Sequence, residues 1–190
     1  MARKEILEVI RKRASIRAYD KSKKVSKEQI EAILEAARLA PSARNTQPWV
    51  FYVAESDEAK AKVMNAMSEH NAWANEASVL LVVCADLRNV YRLEAKKYYV
   101  DIGLCLENIL LEIVNQGLAA CPCAAFDKET LARSLQLPEY LEPVIIVPIG
   151  YEAKGKLLGE LREKYGEVVE RKAHKLGGTK SLEEIIFKWE

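Results

Sequence analysis

The sequence is poor in the residues that build metal sites and nucleophilic sites. It holds two histidines and four cysteines among 190 residues. Both histidines, His70 and His174, lie in polar stretches, and no second cysteine pair accompanies Cys121 and Cys123. Because a structural zinc site needs about four ligands at recognisable spacings, we expect no metal site. The signatures of thioredoxin-like proteins, serine hydrolases and nucleotide-binding loops, which are C-x-x-C, G-x-S-x-G, the P-loop and G-x-G-x-x-G, are also missing.

An excess of one charge and a long apolar run are absent too. The chain has 29 basic and 28 acidic residues, so a net charge of +1 gives no electrostatic footprint for nucleic acid. No stretch approaches the run of about 20 apolar residues that crosses a bilayer. The N-terminal sequence "MARKEILEVIRKR" is charged throughout, unlike a signal peptide. We therefore expect a cytoplasmic protein that binds neither nucleic acid nor membrane, and a single domain over residues 1–190.

The apolar pattern predicts a mixture of helices and strands. Helices are expected over residues 4–12, 25–40, 56–70, 101–116 and 128–136, and strands over 48–55, 78–86 and 143–151. Ser26 and Gln29 form a capping-box pattern, Asp127 is a helix N-cap, and Gly117 is a helix stop. Residues 101–116 are apolar nearly all round, which predicts a buried helix. The polar stretch 152–180 predicts an exposed helix and then a loop at Gly177-Gly178.

The C-terminal tail becomes apolar again at Ile185, Ile186, Phe187 and Trp189. Apolar side chains on a free tail would be exposed to water, so we expect another surface to cover them. A partner subunit is one candidate.

Two polar clusters are the strongest functional signals. Arg13, Ser15 and Arg17 follow the first helix, and two guanidinium groups with a hydroxyl suit a phosphate or another anion. A solvated basic helix end is the alternative. In "APSARNTQPW", Ser42, Asn45 and Gln47 crowd a loop before a strand, and amide groups can bind the edge of a heterocycle. A simple polar turn is the alternative for that loop.

The sequence "GLAACPCAAFD" places Cys121 and Cys123 on either side of Pro122. Half a metal site, a redox pair, a disulfide and two unreactive thiols all fit this pattern. The sequence lacks the motifs of enzymes that use their own side chains as reactive groups. It therefore indicates either a binding module or an enzyme whose reactive group is a cofactor.

Three segments together resemble the nitroreductase family. "RASIRAYDKSKKVSKEQIEAILEAARLAPSARNTQPWVFYV" matches its N-terminal signature, an R-x-S-x-R stretch, a helix and then P-S-x-x-N-x-Q-P-W. Residues 101–151 are similar to its central helix, flavin-facing loop and following strand, and "TKSLEEIIFKWE" to its C-terminal end. The resemblance implies an α+β fold with a central, mostly antiparallel sheet flanked by helices. It also implies an interlocked homodimer in which residues 181–190 pack on the partner.

The resemblance further implies one FMN per active site and assigns residues to it. Arg13, Ala14 and Ser15 would bind the phosphate together with Lys180, and Arg17 would reach the ribityl chain or the pyrimidine edge. The partner subunit would bring a second set to the ring, namely Pro41, Ser42, Ala43, Asn45 and Gln47.

The segment after the central helix would pass beneath the flavin and offer a backbone N–H to the ring atom N5. It contains Pro122, Cys123 and Ala124. Because proline has no N–H, the donor is Cys123 or Ala124, and we expect Cys123. The sulfurs are then expected mostly to fill space.

The implied reaction takes a hydride from NADH or NADPH and passes it to a nitroaromatic, a quinone or a related small acceptor by a ping-pong mechanism. No catalytic side chain is expected. A flavin-binding protein without turnover, a dehalogenase-like or flavin-fragmenting relative, and a zinc-binding interaction module are the alternatives. Tyr91, Tyr98 and Tyr99 are candidates for a lid over the site, although packing is the favoured interpretation.

Overall fold

The computed structural model describes residues 5–170, 179–185 and 188. The helices are α1 (Glu8–Lys12), α2 (Lys27–Arg38), α3 (Asp57–Met64), α4 (Tyr98–Asn115), α5 (Lys128–Leu135), α6 (Gly155–Tyr165) and α7 (Leu182–Ile185). The strands are β1 (Trp49–Ala54), β2 (Val79–Asp86), β3 (Ala119–Ala120) and β4 (Leu141–Gly150). Short 3-10 turns occupy Ala43–Asn45, Glu69–Glu76, Leu87–Asn89, Leu93–Ala95 and Gly166–Glu170.

The four strands form one antiparallel sheet in the order β1-β2-β4-β3. Apolar side chains on its two faces pack into two cores. One core takes in α2 and α4, and the other takes in α3, α5 and α6. Every residue of β2 is buried because this strand is central and covered on both faces. The predicted α+β fold with an antiparallel sheet flanked by helices is confirmed.

Three helix ends lie where local signals in the sequence predicted them. Ser26 Oγ accepts from the Gln29 N–H, and the Gln29 side chain accepts from the Ser26 N–H, which completes the capping box. Asp127 accepts from the Thr130 N–H at 2.6 Å and begins α5. Gly117 follows α4 with φ +71, a conformation that side chains rarely adopt.

The helix α3 is shorter than predicted and ends at Met64. The chain beyond it pairs with the loop that contains the two neighbouring cysteines. Met67 forms a bridge with Phe126, and the Ser68 N–H donates to the Ala125 oxygen at 3.3 Å. These tertiary bonds replace the helical ones.

The predicted buried helix over residues 101–116 is buried on one side only within a single chain, because Leu104 is exposed. Val100 and Leu104 are 65% and 43% exposed. With other exposed apolar side chains on or next to α1, α2 and α4 they make up what we call the apolar face: Ile6, Leu7, Ile10, Leu39, Val100 and Leu104. A cavity of about 270 Å³ lined by Val9, Leu39 and Leu111 connects the three helices.

Two sequence features lie outside the described residues. These are the Gly177-Gly178 loop and the apolar tail residues Ile186, Phe187 and Trp189. Among the helices that the structure describes, none is long and apolar enough to cross a membrane.

Candidate active site

The basic cluster lies against the free edge of β3. Ser15 forms a parallel bridge with Ala120, and the Ile16 N–H donates to the Ala120 oxygen at 3.0 Å. The Arg13–Arg17 segment therefore adds to the sheet beside the strand from which Cys121 and Pro122 continue. Two segments that are far apart in sequence, and that the resemblance assigned to one cofactor, are brought side by side.

The charges of this cluster act on a neighbouring thiol. A hydrogen bond from the Cys123 thiol, the charges of Arg17 and Arg13, and a hydrogen bond from Ser15 lower the pKa of Cys121 to about 7 against the opposing effect of burial. The same contact and burial raise the pKa of Cys123. The guanidinium carbon of Arg17 also lies 5.9 Å from the centre of the Trp73 ring. The positive charge of Arg13 and Arg17 thus contributes to favouring the ionised form of a buried thiol beside the cluster.

The backbone of the cysteine loop corrects one expectation. The Cys123 N–H donates to the Ile146 oxygen at 2.7 Å, and the Ile146 N–H donates back to the Cys123 oxygen at 3.0 Å. The preference for Cys123 as donor to a flavin is therefore wrong, because its N–H is already used. Pro122 has none to give. Ala124 is exposed, and within the described part of the chain its N–H has no acceptor. Of the two candidate donors, Ala124 is the one whose N–H is available.

The sulfur atoms point into the protein. Cys121 and Cys123 are 3% and 6% exposed and belong to the apolar core, while Ala124 and Ala125 face outwards. The Cys123 thiol donates to the Cys121 oxygen at 3.3 Å, and all four cysteines of the chain are free thiols. No group of three or more metal-ligating side chains occurs among the residues that the structure describes. The loop presents backbone to its surface and sulfur to the core.

The second polar cluster is a strained turn between α2 and β1. Arg44, Asn45 and Gln47 have φ values of 54, 58 and 48, in the left-handed region. Ser42 Oγ accepts from the Gln47 N–H at 2.9 Å, and the Ser42 carbonyl accepts from the Asn45 N–H at 3.0 Å. Such conformations cost free energy and are concentrated at functional sites.

A buried carboxylate supports this turn, and sequence reasoning missed it. Asp101, in the first turn of α4, is 4% exposed and its Oδ1 accepts from the Ala43 N–H at 3.0 Å. Its Oδ2 is buried without a hydrogen-bond partner among the described residues. The available signal was a lone acid at the start of the apolar run "DIGLCLENILL".

The structure does not bring the two polar clusters together within one chain. The strained turn leads into Trp49 at the start of β1. Trp49 pairs with Ala85 of β2, and Ala85 pairs with Glu142 near the beginning of β4. Ser15 lies beyond β3, which pairs with Ile149 and Gly150 at the other end of β4. The two clusters therefore lie at diagonal corners of the sheet. Neighbouring strands are about 4.8 Å apart and each residue advances a strand by about 3.4 Å, so the clusters are on the order of 30 Å apart.

The remaining candidates have varied surroundings. Tyr98 is buried and donates a hydrogen bond to Glu142, which agrees with the favoured packing interpretation. Tyr99 also donates to Glu142 but is exposed, so its role stays a prediction. Tyr91 is half-buried and contacts Arg44, a residue of the strained turn. Lys180 is exposed, and its role at the phosphate stays a prediction.

Comparison with known proteins decides the family. The family model described as "Nitroreductase family" matches residues 10–98 and 69–151. The chain belongs to the nitroreductase family. The resemblance found in the sequence is thereby confirmed.

Individual relatives agree with this assignment. An Archaeoglobus fulgidus protein provisionally named NADH dehydrogenase/NAD(P)H nitroreductase is 33% identical over 165 residues, which cover 85% of this nitroreductase-family chain and 93% of the relative. The crystal structure of a nitroreductase family protein from Clostridium difficile 630 is 28% identical, with a TM-score of 0.76 and coverage of 96% and 97%. A nitroreductase from Exiguobacterium sibiricum, crystallised in complex with FMN, shares the fold with 24% identity, a TM-score of 0.70 and coverage of 81% and 91%.

Proposed function

We propose that this protein is a cytoplasmic, homodimeric FMN-dependent oxidoreductase. It takes a hydride from NADH or NADPH and passes it to a nitroaromatic, a quinone or a related small acceptor by a ping-pong mechanism. One observation carries the proposal: the Arg13–Arg17 cluster lies beside a loop whose outer surface is backbone with an unused N–H at Ala124. Membership of the nitroreductase family supports the same conclusion.

The residues of this edge fit FMN by their chemistry. Arg13 and Ser15 bind its phosphate by charge-assisted hydrogen bonds, with Lys180 as the further cation that the resemblance assigns. Arg17 supplies positive charge where the reduced ring gains negative charge. Ala124 offers its N–H to N5, and Cys123 holds the loop in place through Ile146. When bound, FMN supplies the atom that accepts and releases the hydride, so no side-chain base is needed for that transfer.

A second copy of the chain completes the site in this proposal. Pro41, Ser42, Ala43, Asn45 and Gln47 lie at the corner of the sheet diagonal to Ser15, and the resemblance assigns them to the ring that the other subunit binds. In the proposed dimer they contribute from the partner. The apolar face, with side chains such as Leu7 and Val100 more than half exposed, provides a surface for such a partner. Packing of residues 181–190 on the partner, around a single domain of residues 1–190, is part of the same proposal.

Flavin reduction is the direct test. The purified protein is reconstituted with FMN, and its flavin absorbance is followed anaerobically after NADH or NADPH is added. We expect bleaching, and recovery of the oxidised spectrum when a nitroaromatic or a quinone is added. Stable FMN that neither nucleotide reduces would instead indicate a flavin-binding protein without turnover. Failure to bind FMN at all would contradict the proposal entirely.

A further inference from the structure

Two arginines converge on one tyrosine beside the strained turn. The guanidinium carbon of Arg44 lies 4.5 Å from the centre of the Tyr91 ring, and that of Arg92 lies 5.4 Å from the same centre. Arg44 belongs to the turn, whereas Tyr91 and Arg92 belong to the segment between β2 and α4. The Tyr91 ring is thus contacted by two cations from separate parts of the chain.

Neither cation is neutralised in the described part of the chain. Arg44 and Arg92 are exposed and form no ion pair there, unlike nearby Arg88, which binds the Asp86 carboxylate at 2.7 Å. Asp101 contacts the turn through the Ala43 N–H, and no hydrogen bond or ion pair joins it to a guanidinium among the described residues. Two exposed cations on one ring, with no carboxylate paired to either in the described residues, leave positive charge that an anion can neutralise.

The backbone supports the same interpretation. Arg44 has φ 54 and Arg92 has φ 52, so both residues occupy the left-handed region that non-glycine residues rarely adopt. Both side chains lie over Tyr91. Conformations of this kind persist where the surrounding structure holds them and where they serve a site.

We propose that Arg44, Tyr91 and Arg92 form an anion-binding site at the mouth of the flavin site, which receives a phosphate or carboxylate group of the molecule that exchanges hydride with the flavin. The inference rests on the proposed function, because the turn that holds Arg44 also carries Ser42, Ala43 and Asn45, the residues assigned to the ring. The planar guanidinium groups match the oxygen pairs of both anions. A donor nucleotide with an extra phosphate and an acidic aromatic acceptor are the two sources of that anion.

Matched ligand pairs test the site by equilibrium binding. Calorimetry on the FMN-loaded protein compares 4-nitrobenzoate with 4-nitrobenzyl alcohol, and NADP+ with NAD+, because neither pair requires turnover. We expect the wild type to prefer the member with the additional anionic group in at least one pair. Arg44→Ala and Arg92→Ala should each reduce that preference about fivefold, as for a solvent-exposed charge-assisted contact.

Control variants separate recognition from general charge and from folding. Arg92→Lys keeps the charge but loses the planar fork, so it should keep only part of the preference. Lys62→Ala removes a positive charge from α3 and should change nothing, since Lys62 pairs with Glu58 far from the turn. Circular dichroism identifies any variant that fails to fold. If Arg92→Ala does not fold, the ligand preference of Arg92→Lys is compared with that of the wild type instead.

The outcomes are distinct. A fall in the NADP+ preference identifies the donor phosphate, and a fall in the 4-nitrobenzoate preference identifies an acidic acceptor. Equal binding of both members of both pairs to the wild type, or preferences that the arginine variants leave intact, overturns the inference. A protein that shows these preferences but never reduces its flavin overturns the proposed function alone.

Discussion

The Cys123 N–H donates to the Ile146 oxygen at 2.7 Å, and the Ile146 N–H donates back to the Cys123 oxygen at 3.0 Å. This reciprocal pair fastens the cysteine loop to β4, a strand that lies inside the sheet. Proline immediately before the pair and an outward-facing alanine immediately after it complete the arrangement. The first N–H of the loop that is available to a ligand is therefore that of Ala124, at a position set by the sheet.

Replacing Ala124 by proline removes that N–H. We expect slower reduction of bound FMN by NADH, by about fivefold to tenfold, as for one hydrogen bond worth about 1 kcal/mol. Ala124→Gly keeps the N–H and should reduce at close to the wild-type rate. Rapid-mixing absorbance under anaerobic conditions measures both. If Ala124→Pro folded and its flavin were reduced as quickly as in the wild type, the donor would lie elsewhere.

Arg13 is expected to retain FMN through its phosphate. A charge-assisted hydrogen bond is worth about 1.5–3 kcal/mol, so Arg13→Ala should weaken FMN binding by about 10-fold to 100-fold. Arg11→Ala is the matched control, because Arg11 is an exposed arginine of α1 two residues away. Flavin fluorescence titration gives both dissociation constants. Equal losses in the two variants would indicate a general effect of charge and remove Arg13 from the phosphate site.

The sequence predicted those features whose partners are close along the chain. Ser26 and Gln29 cap a helix three residues apart, and Asp127 binds the N–H of Thr130. The same reasoning could not find that the Cys123 N–H is taken, because its acceptor Ile146 comes from a strand formed later in the chain. It could not recognise the apolar face either. An apolar helix has the same sequence pattern whether its own chain or a second one covers it.

The contact between Asp101 and Ala43 also joins segments that are far apart in sequence, so the sequence did not reveal it. Its Oδ1 holds the Ala43 N–H in the strained turn, so Asp101→Leu should leave that N–H without its acceptor and destabilise the protein by about 1–3 kcal/mol. Asp101→Asn keeps an oxygen for the Ala43 N–H and offers an amide, so it should be tolerated better. Denaturant unfolding with and without FMN measures the difference. Equal stability of the leucine variant and the wild type would contradict a supporting role.

Cys121 should report the state of the phosphate site. Hydrogen bonding from Cys123 and the charges of Arg17 and Arg13 lower its pKa to about 7, below the ordinary 9.0. The folded protein therefore favours the thiolate, and the resulting stability is complete above pH 9 and is lost as the pH falls through about 7. We expect the free energy of unfolding of the apoprotein to rise from pH 7 to pH 9 relative to Cys121→Ala.

A bound phosphate would compete for the same cations. FMN should therefore move the Cys121 titration to higher pH, which thiolate absorbance can follow in apoprotein and FMN-loaded protein. Cys84→Ala is the control, because burial raises the pKa of Cys84 to about 12 and removes it from this range. An identical titration with and without FMN would mean that the phosphate does not bind near Cys121.

The apolar face and the distance between the polar clusters together predict that dimer formation and FMN binding depend on each other. Leu104 is 43% exposed on α4, and a partner seated on this face would bury it. Leu104→Glu would then place an unpaired carboxylate in the interface, at a cost of several kcal/mol, and should weaken the dimer about a hundredfold or more. Light scattering after gel filtration measures the mass, and fluorescence titration measures FMN binding on the same samples.

We expect Leu104→Glu to be a folded monomer that binds FMN weakly, because the turn at Ser42–Gln47 is then missing from the site. Ala61→Glu introduces the same charge at an exposed position of α3 and should leave both mass and FMN affinity unchanged. A dimeric Leu104→Glu would place the interface on another surface. A monomer that still bound FMN as tightly as the wild type would show that one chain holds the flavin alone, and the assignment of Ser42, Ala43 and Asn45 to the partner's site would have to be abandoned.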